Sequence, residues 1–322
     1  MTFRSNTGGE GTGSGSTGPA EAPVGEGEGG VRPTDMIPFR ELYRDGISEL
    51  LDVPVREQWV ETCAGRTHVL TAGAPTAPPV VVFQGGNVTN PVTLAWVQGL
   101  ADEYYLIALD TPGQPGLSDP QEPDEYGPWV VDVLDGLDIG QAAMIGISHG
   151  GGILLEAVAY APNRIAAAVL VAPAGFGTPV SPALVRIVVL SLVYRAVPRR
   201  GLLVRALAPL CSDSIATVDD IVMATVGQAL RTGDLRAAFP GPDDLASLAE
   251  FDAPVLVLLG DDDQFFPAGR IRPRVEQTLP SLVECFTLAD QSHFLSTAGQ
   301  ERVTGHIRSF LADSYGPEEP SS

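Results

Sequence analysis

Residues 144–159 read MIGISHGGGILLEAVA, and this stretch decides how the rest of the chain is interpreted. Apolar β-forming residues end at Ser148, and helix-forming residues begin after His149 and three glycines. Glycine is unfavourable at the beginning of a helix unless the backbone turns sharply or another segment approaches closely. The stretch therefore predicts a buried strand, a tight turn that carries Ser148, and a helix.

The pattern of strand and helix continues on both sides of this turn. Continuous apolar runs, typical of strands buried on both faces of a parallel sheet, occupy 79–83, 104–110, 142–147, 165–172, 254–260 and 283–288. QWVETC and THVLTAG (58–63 and 67–73) form a predicted antiparallel hairpin, and helical patterns cover 91–101, 127–138 and 149–161. A last helix is predicted from a capping box at Thr297 and Gln300 and from an apolar face formed by Val303, Ile307, Phe310 and Leu311. The fold class is therefore α/β, with a mostly parallel eight-stranded sheet flanked by helices.

Composition divides the chain into five parts. Residues 1–34 and 316–322 are polar and rich in glycine, serine and proline, so both are predicted to be disordered tails. The segment 175–250 is mostly helical in pattern and too long for a simple crossover, which indicates an inserted helical cap. The core is then predicted to consist of 35–174 and 251–315.

Charge and cysteine content exclude several classes of function. The chain carries 40 acidic and 19 basic residues, a net charge of −21, and every basic residue is arginine. This pattern resembles salt-adapted (halophilic) proteins and excludes a basic nucleic-acid-binding face. No apolar run reaches membrane-spanning length and the N-terminus lacks a signal-peptide pattern, so we expect a soluble cytoplasmic protein. Three distant cysteines are expected to be buried reduced thiols, and no metal-ligand cluster is visible.

The tight turn fits the pattern G-x-S-x-G at residues 146–150, which alone is a weak motif. A serine nucleophile needs a base within hydrogen-bond reach. Of the four histidines, His68 lies in the predicted hairpin, His149 points away next to the serine, and His306 lies in a helix. His293 follows the last predicted strand, where a base can project over the carboxyl edge of the sheet. The base needs an acid, and the triplet DDD at 261–263 follows a strand.

These residues resemble the α/β-hydrolase superfamily, in its serine carboxylesterase and lipase-like branch, over residues 55–313. The resemblance rests on the order Ser148…Asp263…His293, on the G-x-S-x-G turn, and on LLGDDDQFFP (258–267). It implies Asp263 as the acid, with Asp262 as the alternative. The segment after the preceding strand has no carboxylate.

The resemblance also implies an oxyanion hole made by two backbone N–H groups. One belongs to His149, and the other to Gly86 or its neighbour Asn87 in VVVFQGGNVTN (80–90). Gln84 stands where the family usually has histidine. The loop DTPGQPGLSD (110–119) also resembles a family loop and is interpreted as turn structure.

The expected function is hydrolysis of a carboxylic ester or related acyl compound through an acyl-enzyme on Ser148, without metal or organic cofactor. The same triad can instead serve C–C cleavage of ring-fission products, acyl transfer or peracid formation, and the fold can serve as a non-catalytic ligand receptor. The apolar cap indicates a hydrophobic small-molecule substrate, with the cap arginines on its surface. The sequence leaves substrate identity and homo-oligomer formation open.

Overall fold

The computed structural model describes residues 39–178, 180–233 and 239–316. Eight strands in these ranges form one sheet with the spatial order β1-β2-β4-β3-β5-β6-β7-β8. β1 pairs with β2 and β2 with β4 in antiparallel fashion, and all other pairs are parallel. The strands are β1 (Val55–Thr62), β2 (Gly65–Ala72), β3 (Pro79–Phe83), β4 (Tyr105–Leu109), β5 (Ala142–Ile147), β6 (Ile165–Val171), β7 (Val255–Gly260) and β8 (Leu282–Leu288). The predicted mostly parallel eight-stranded sheet is confirmed.

The central strands form where the sequence is continuously apolar because both faces of the sheet are covered. Every residue of β5 and of β7 is buried. Along β5, Met144 packs into the core on one face and Ile145 into the core on the other. The carboxyl ends of these parallel strands meet at one edge, which is where loops can bring distant residues together.

Helices cover both faces of the sheet. The helices are α1 (Phe39–Leu50), α2 (Asn90–Val97), α3 (Tyr126–Gly136), α4 (His149–Tyr160), α5 (Pro182–Ala196), α6 (Arg200–Leu207), α7 (Asp220–Thr232), α8 (Ala268–Thr278) and α9 (Thr297–Tyr315). Residues of α3, α4 and α8 bury their apolar sides in one core, and residues of α1, α2 and α9 in the other. None of the helices in the described ranges is long and apolar enough to cross a bilayer.

Four local features differ from the sequence analysis. The sequence analysis missed α1, and α2 ends at Val97, with a 3-10 turn continuing to Leu100. The cap of α9 is Ser296, whose hydroxyl accepts a hydrogen bond of 2.9 Å from the backbone N–H of Gly299, so the capping box at Thr297 does not form. The predicted apolar face of α9 is buried as expected. The three free cysteines are not buried as predicted, since Cys63 is exposed at the hairpin turn and Cys211 and Cys285 are half-buried.

Between β6 and β7 the chain leaves the sheet and forms α5, α6 and α7. These helices share an apolar core that includes Ile187, Tyr194 and Met223 and rests on Val88 and Val92 of the sheet domain. Within the described residues of 175–250 there is no strand, in keeping with a helical insertion over the sheet edge. The exact limits of the five predicted parts stay predictions, and both predicted tails, Gly316 apart, lie outside the described residues.

Candidate active site

Ser148 occupies a strained turn between β5 and α4. Its backbone has φ 52° and ψ −114°, a conformation that L-residues rarely adopt. The turn is possible because a Cβ on Gly146 would lie 2.5 Å from the carbonyl oxygen of Gly150. A Cβ on Gly150 would in turn lie 2.4 Å from the carbonyl oxygen of Phe83. The glycines around Ser148 are therefore required by close backbone approach, which answers why they occur in a helix start.

His293 faces the serine from the loop between β8 and α9. The Nε2 atom of His293 lies 2.8 Å from the Oγ of Ser148, although the two residues are 145 positions apart. On the other side, the Nδ1 atom of His293 lies 2.8 Å from the Oδ2 of Asp263. The neutral tautomer consistent with both contacts carries its proton on Nδ1 and accepts from the serine hydroxyl at Nε2. Serine, histidine and aspartate thus form one hydrogen-bonded chain.

Asp263 is held in a single orientation by the backbone. Its Oδ1 accepts hydrogen bonds from the N–H groups of Phe265 at 2.7 Å and Phe266 at 3.0 Å, and its side chain is fully buried. Burial works to raise the pKa of this carboxyl, but the charge and hydrogen bond of His293 and these two N–H groups hold its pKa below the usual value. Asp262, the alternative acid, is exposed. The carboxylate beside His293 is therefore Asp263, ionised at neutral pH.

Two backbone N–H groups adjoin Ser148 and donate no hydrogen bond within the described residues, those of Gly86 and His149. The two segments touch, since a Cβ on Gly86 would lie 3.2 Å from the Cβ of His149. By contrast, the N–H of Asn87 donates to the Oε1 of Gln114 at 3.0 Å. Between the two alternatives for the second oxyanion donor, the geometry favours Gly86 over Asn87.

An apolar cavity of about 340 Å³ lies between Ser148 and the cap. The cap contributes Leu184, Ile187, Leu207 and Leu230, and the sheet domain contributes Val88, Val92, Trp96, Phe265 and Phe294. In the part of the chain that the structure describes, the lining contains polar residues but no charged carboxylate, lysine or arginine. The described residues also contain no cluster of three or more histidine, cysteine or carboxylate side chains suited to a metal ion.

Part of the chain matches a known protein family. The family model described as "alpha/beta hydrolase fold" matches residues 78–196, the segment from β3 through the strained serine turn to α5. The chain has the α/β-hydrolase fold.

Individual relatives of this α/β-hydrolase chain include enzymes with several reactions. It is 30% identical over 145 residues to an uncharacterized carboxylesterase, nap, of Bacillus subtilis (strain 168), covering 43% of this chain and 47% of that protein. It is 29% identical over 225 residues to 2-hydroxymuconate semialdehyde hydrolase of Pseudomonas sp. (strain CF600), and this match covers 63% of this chain and 75% of that protein. The match thus spans about half the length of the carboxylesterase.

A solved structure of naproxen esterase (carboxylesterase NP) from Bacillus subtilis superposes with a TM-score of 0.72. It covers 85% of this chain and 96% of the other at 22% identity. At that level of identity, the likeness is evidence for the fold alone.

Two glutamines connect the loops around Gly86 and Ser148. The sequence analysis noted the position of Gln84 but not its contacts, and it missed the role of Gln114. Gln84 is fully buried, donates to the carbonyls of Val88 (2.9 Å) and Pro115 (3.1 Å), and accepts from the N–H of Thr111 (2.7 Å). Gln84 therefore occupies the family's histidine position with three hydrogen bonds of its own. The signal available in the sequence was its place directly after β3, at the carboxyl edge.

Gln114 joins the loop that carries Asn87 to the turn that carries Ser148. Besides accepting from Asn87, its Nε2 lies 3.3 Å from the Nε2 of His149. Burial lowers the pKa of His149 to about 4, so this imidazole is neutral at ordinary pH and can accept from the amide. The loop that carries Gln114 is thus more than a turn, because Gln114 links Asn87 to His149.

A second histidine–carboxylate cluster lies away from the serine, below the β1–β2 hairpin. His68 is fully buried, with Nδ1 3.0 Å from the Oδ2 of Asp110 and Nε2 3.1 Å from the Oε2 of Glu57. Asp110 also accepts from the hydroxyl of Tyr43 at 2.8 Å and from the N–H of Leu117 at 2.8 Å. The cluster anchors both ends of the loop that carries Gln114, so its contribution is structural.

Proposed function

We propose that this protein is a serine hydrolase of the carboxylesterase type, which cleaves an uncharged carboxylic ester or related acyl substrate. The single observation that carries the proposal is the chain of two 2.8 Å contacts from Ser148 through His293 to Asp263, at the floor of an apolar cavity. Carboxylesterases among the relatives support it. A cytoplasmic location and a salt-adapted surface remain part of this proposal, and rest on composition.

The chemistry follows from the positions of the atoms. Ser148 Oγ attacks the acyl carbon while the Nε2 of His293 takes its proton, and the ionised Asp263 stabilises the resulting imidazolium. The N–H groups of Gly86 and His149 donate to the developing oxyanion. The tetrahedral intermediate then collapses, the C–O bond breaks, and the imidazolium gives its proton to the leaving alcohol. Water activated by His293 hydrolyses the acyl-enzyme by the same steps.

The lining of the cavity distinguishes ester hydrolysis from C–C cleavage of ring-fission products, another reaction that the same triad can catalyse. A ring-fission product is an anionic acid, and burying a carboxylate without a cationic partner is costly. The described lining offers no arginine or lysine, which favours neutral substrates over such anions. The presence of serine at position 148 also argues against the reactions of α/β hydrolases in which the nucleophile is an aspartate. Acyl transfer and peracid formation differ from ester hydrolysis only in the molecule that accepts the acyl group. Analysis of the reaction products distinguishes the three reactions.

The test is covalent labelling by a fluorophosphonate probe in molar KCl. Wild-type protein and Ser191→Ala, which removes another serine of the same cavity, are expected to label. Ser148→Ala and His293→Ala are expected to lose labelling, and Ser148→Ala to lose at least ~10³-fold in kcat on p-nitrophenyl esters. Absence of labelling in well-folded wild type would instead favour a ligand-binding receptor.

A further inference from the structure

The outer face of α5, defined here by Val185, Val188, Val189, Leu192 and Val193, is apolar and lies in solvent. Each of these five side chains is between 42% and 51% exposed. The opposite face of the same helix packs inward through Ile187, Ser191 and Tyr194. Single exposed apolar residues are ordinary, but a continuous exposed face on one helix marks an interaction site.

The charge around this face is opposite to that of the whole protein. Residues 180–212 contain five arginines and no aspartate or glutamate, whereas the complete chain has a net charge of −21. The arginines are Arg186, Arg195, Arg199, Arg200 and Arg205. The segment 180–212 is therefore a local cationic stretch of an acidic protein.

Helical geometry places arginines at both edges of the outer face. With about 100° per residue, the apolar side chains cover one arc, and Arg186 and Arg195 lie on its two sides. Arg195 also donates to the carbonyl of Gly233, and Arg200 pairs with Asp220 at 3.1 Å. Long cationic side chains beside an apolar face are typical of helices that lie in a membrane interface.

The outer face continues into the cavity that holds Ser148. Val188 is 47% exposed and also lines that cavity, together with Leu184 and Ile187 of the same helix. A surface that receives the outer face of α5 would therefore lie beside the entrance used by an apolar substrate. This continuity links the exposed face to delivery of substrate from an apolar phase.

We infer that the outer face of α5 docks the protein onto an anionic lipid surface. A symmetric contact with a second copy would bring the same arginines against one another, which is electrostatically unfavourable. An anionic lipid surface instead receives the valines and leucine among its acyl chains and the arginines at its headgroups. The inference concerns binding alone and does not require the proposed hydrolysis.

The test is flotation of the full chain with vesicles at about 0.1 M ionic strength, where charges interact over ~10 Å, after circular dichroism has shown that the chain is folded at this ionic strength. The vesicles are phosphatidylcholine alone or phosphatidylcholine with phosphatidylglycerol. Wild type is expected to bind the mixed vesicles preferentially. Val189→Glu is expected to lower the partition coefficient about tenfold or more. Val283→Glu, at an even more exposed valine of β8, is the control and is expected to bind like wild type.

Charge is tested separately with Arg186→Gln combined with Arg199→Gln. Each lost cation is expected to lower the partition coefficient on mixed vesicles about fivefold, with little effect on phosphatidylcholine. Hydrolysis of a short water-soluble ester is expected to be the same in Val189→Glu and wild type, since Val189 lies outside the cavity.

Three results would overturn the inference. They are absence of wild-type binding to mixed vesicles, equal binding to both vesicle types, and a dimer in solution that Val189→Glu converts to monomers. None of them touches the proposed function, which is tested by labelling without vesicles. Conversely, vesicle binding by a chain that does not label would reject the hydrolase and keep the docking surface.

Discussion

Replacing Asp263 by asparagine should abolish activity through a change of tautomer rather than through loss of structure. The Oδ1 of Asp263 accepts two backbone hydrogen bonds, at 2.7 and 3.0 Å from Phe265 and Phe266. In Asp263→Asn the amide oxygen must keep this position, because an NH₂ group there would face two donors. The amide NH₂ therefore faces the Nδ1 of His293 and donates to it. His293 must then carry its proton on Nε2, where it can no longer accept from Ser148.

The expected loss in kcat is about 10⁴-fold, the size found when an asparagine imposes this tautomer on a triad histidine. That loss corresponds to about 5 kcal/mol of transition-state stabilisation. The two backbone hydrogen bonds are kept, so the free energy of unfolding should fall by no more than about 1–2 kcal/mol.

The assay is steady-state hydrolysis of a p-nitrophenyl ester, with urea denaturation of the same preparations. Asp262→Asn, one residue away and exposed, is the matched control and should keep near wild-type kcat. If Asp263→Asn retains more than about a tenth of wild-type kcat, the tautomer argument is wrong. If Asp262→Asn loses activity instead, the acid has been assigned to the wrong carboxylate.

Three further predictions concern stability. Gly150→Ala would bring a Cβ 2.4 Å from a backbone oxygen of β3, so it should lower the free energy of unfolding by at least about 1–3 kcal/mol. Gly140 has open space around it, so Gly140→Ala should change this free energy little, and urea denaturation compares the two variants. Burial lowers the pKa of His68, but the carboxylates of Asp110 and Glu57 raise this pKa by more than burial lowers it. The pKa of His68 therefore lies above its usual value. Its stabilising charge should be fully present below about pH 6.5 and lost as pH rises through the raised pKa; a denaturation series should show this decline, and His68→Gln should remove it. Gln84→Ala leaves a buried N–H and two carbonyls without their partner, so it should cost about 1–3 kcal/mol in denaturation, and an unchanged midpoint would contradict its anchoring role.

Much of the fold could be predicted because it depends on local patterns. The strands were predicted to within one residue at most ends, since continuous apolar runs bounded by polar residues are typical of a doubly covered sheet. The limits of helices were less certain, as at Ser296, because neighbouring hydroxyls compete for one cap. The helix α1 was missed although its sequence is amphipathic, with Leu42, Tyr43 and Gly46 on its buried side.

The candidate site was predicted in its residue types and only partly in its connections. Ser148 was visible because its glycines are local, and His293 by exclusion among four histidines. The choice of Asp263 over Asp262 depends on which carboxylate turns inward, and the choice of Gly86 over Asn87 on a contact with Gln114. Such contacts between distant segments leave no periodic trace in either segment.

By itself, then, the sequence determined the strand and helix pattern, the sharp turn at Ser148 and the acidic, lysine-free surface chemistry. Only the tertiary structure decided that residues 145 positions apart meet at 2.8 Å, and that Gln114 links Asn87 to His149. It also decided that five apolar side chains of α5 lie partly in solvent rather than in the core. The physical reason is that a residue's hydrophobicity is a property of the chain, whereas its packing partner is a property of the fold.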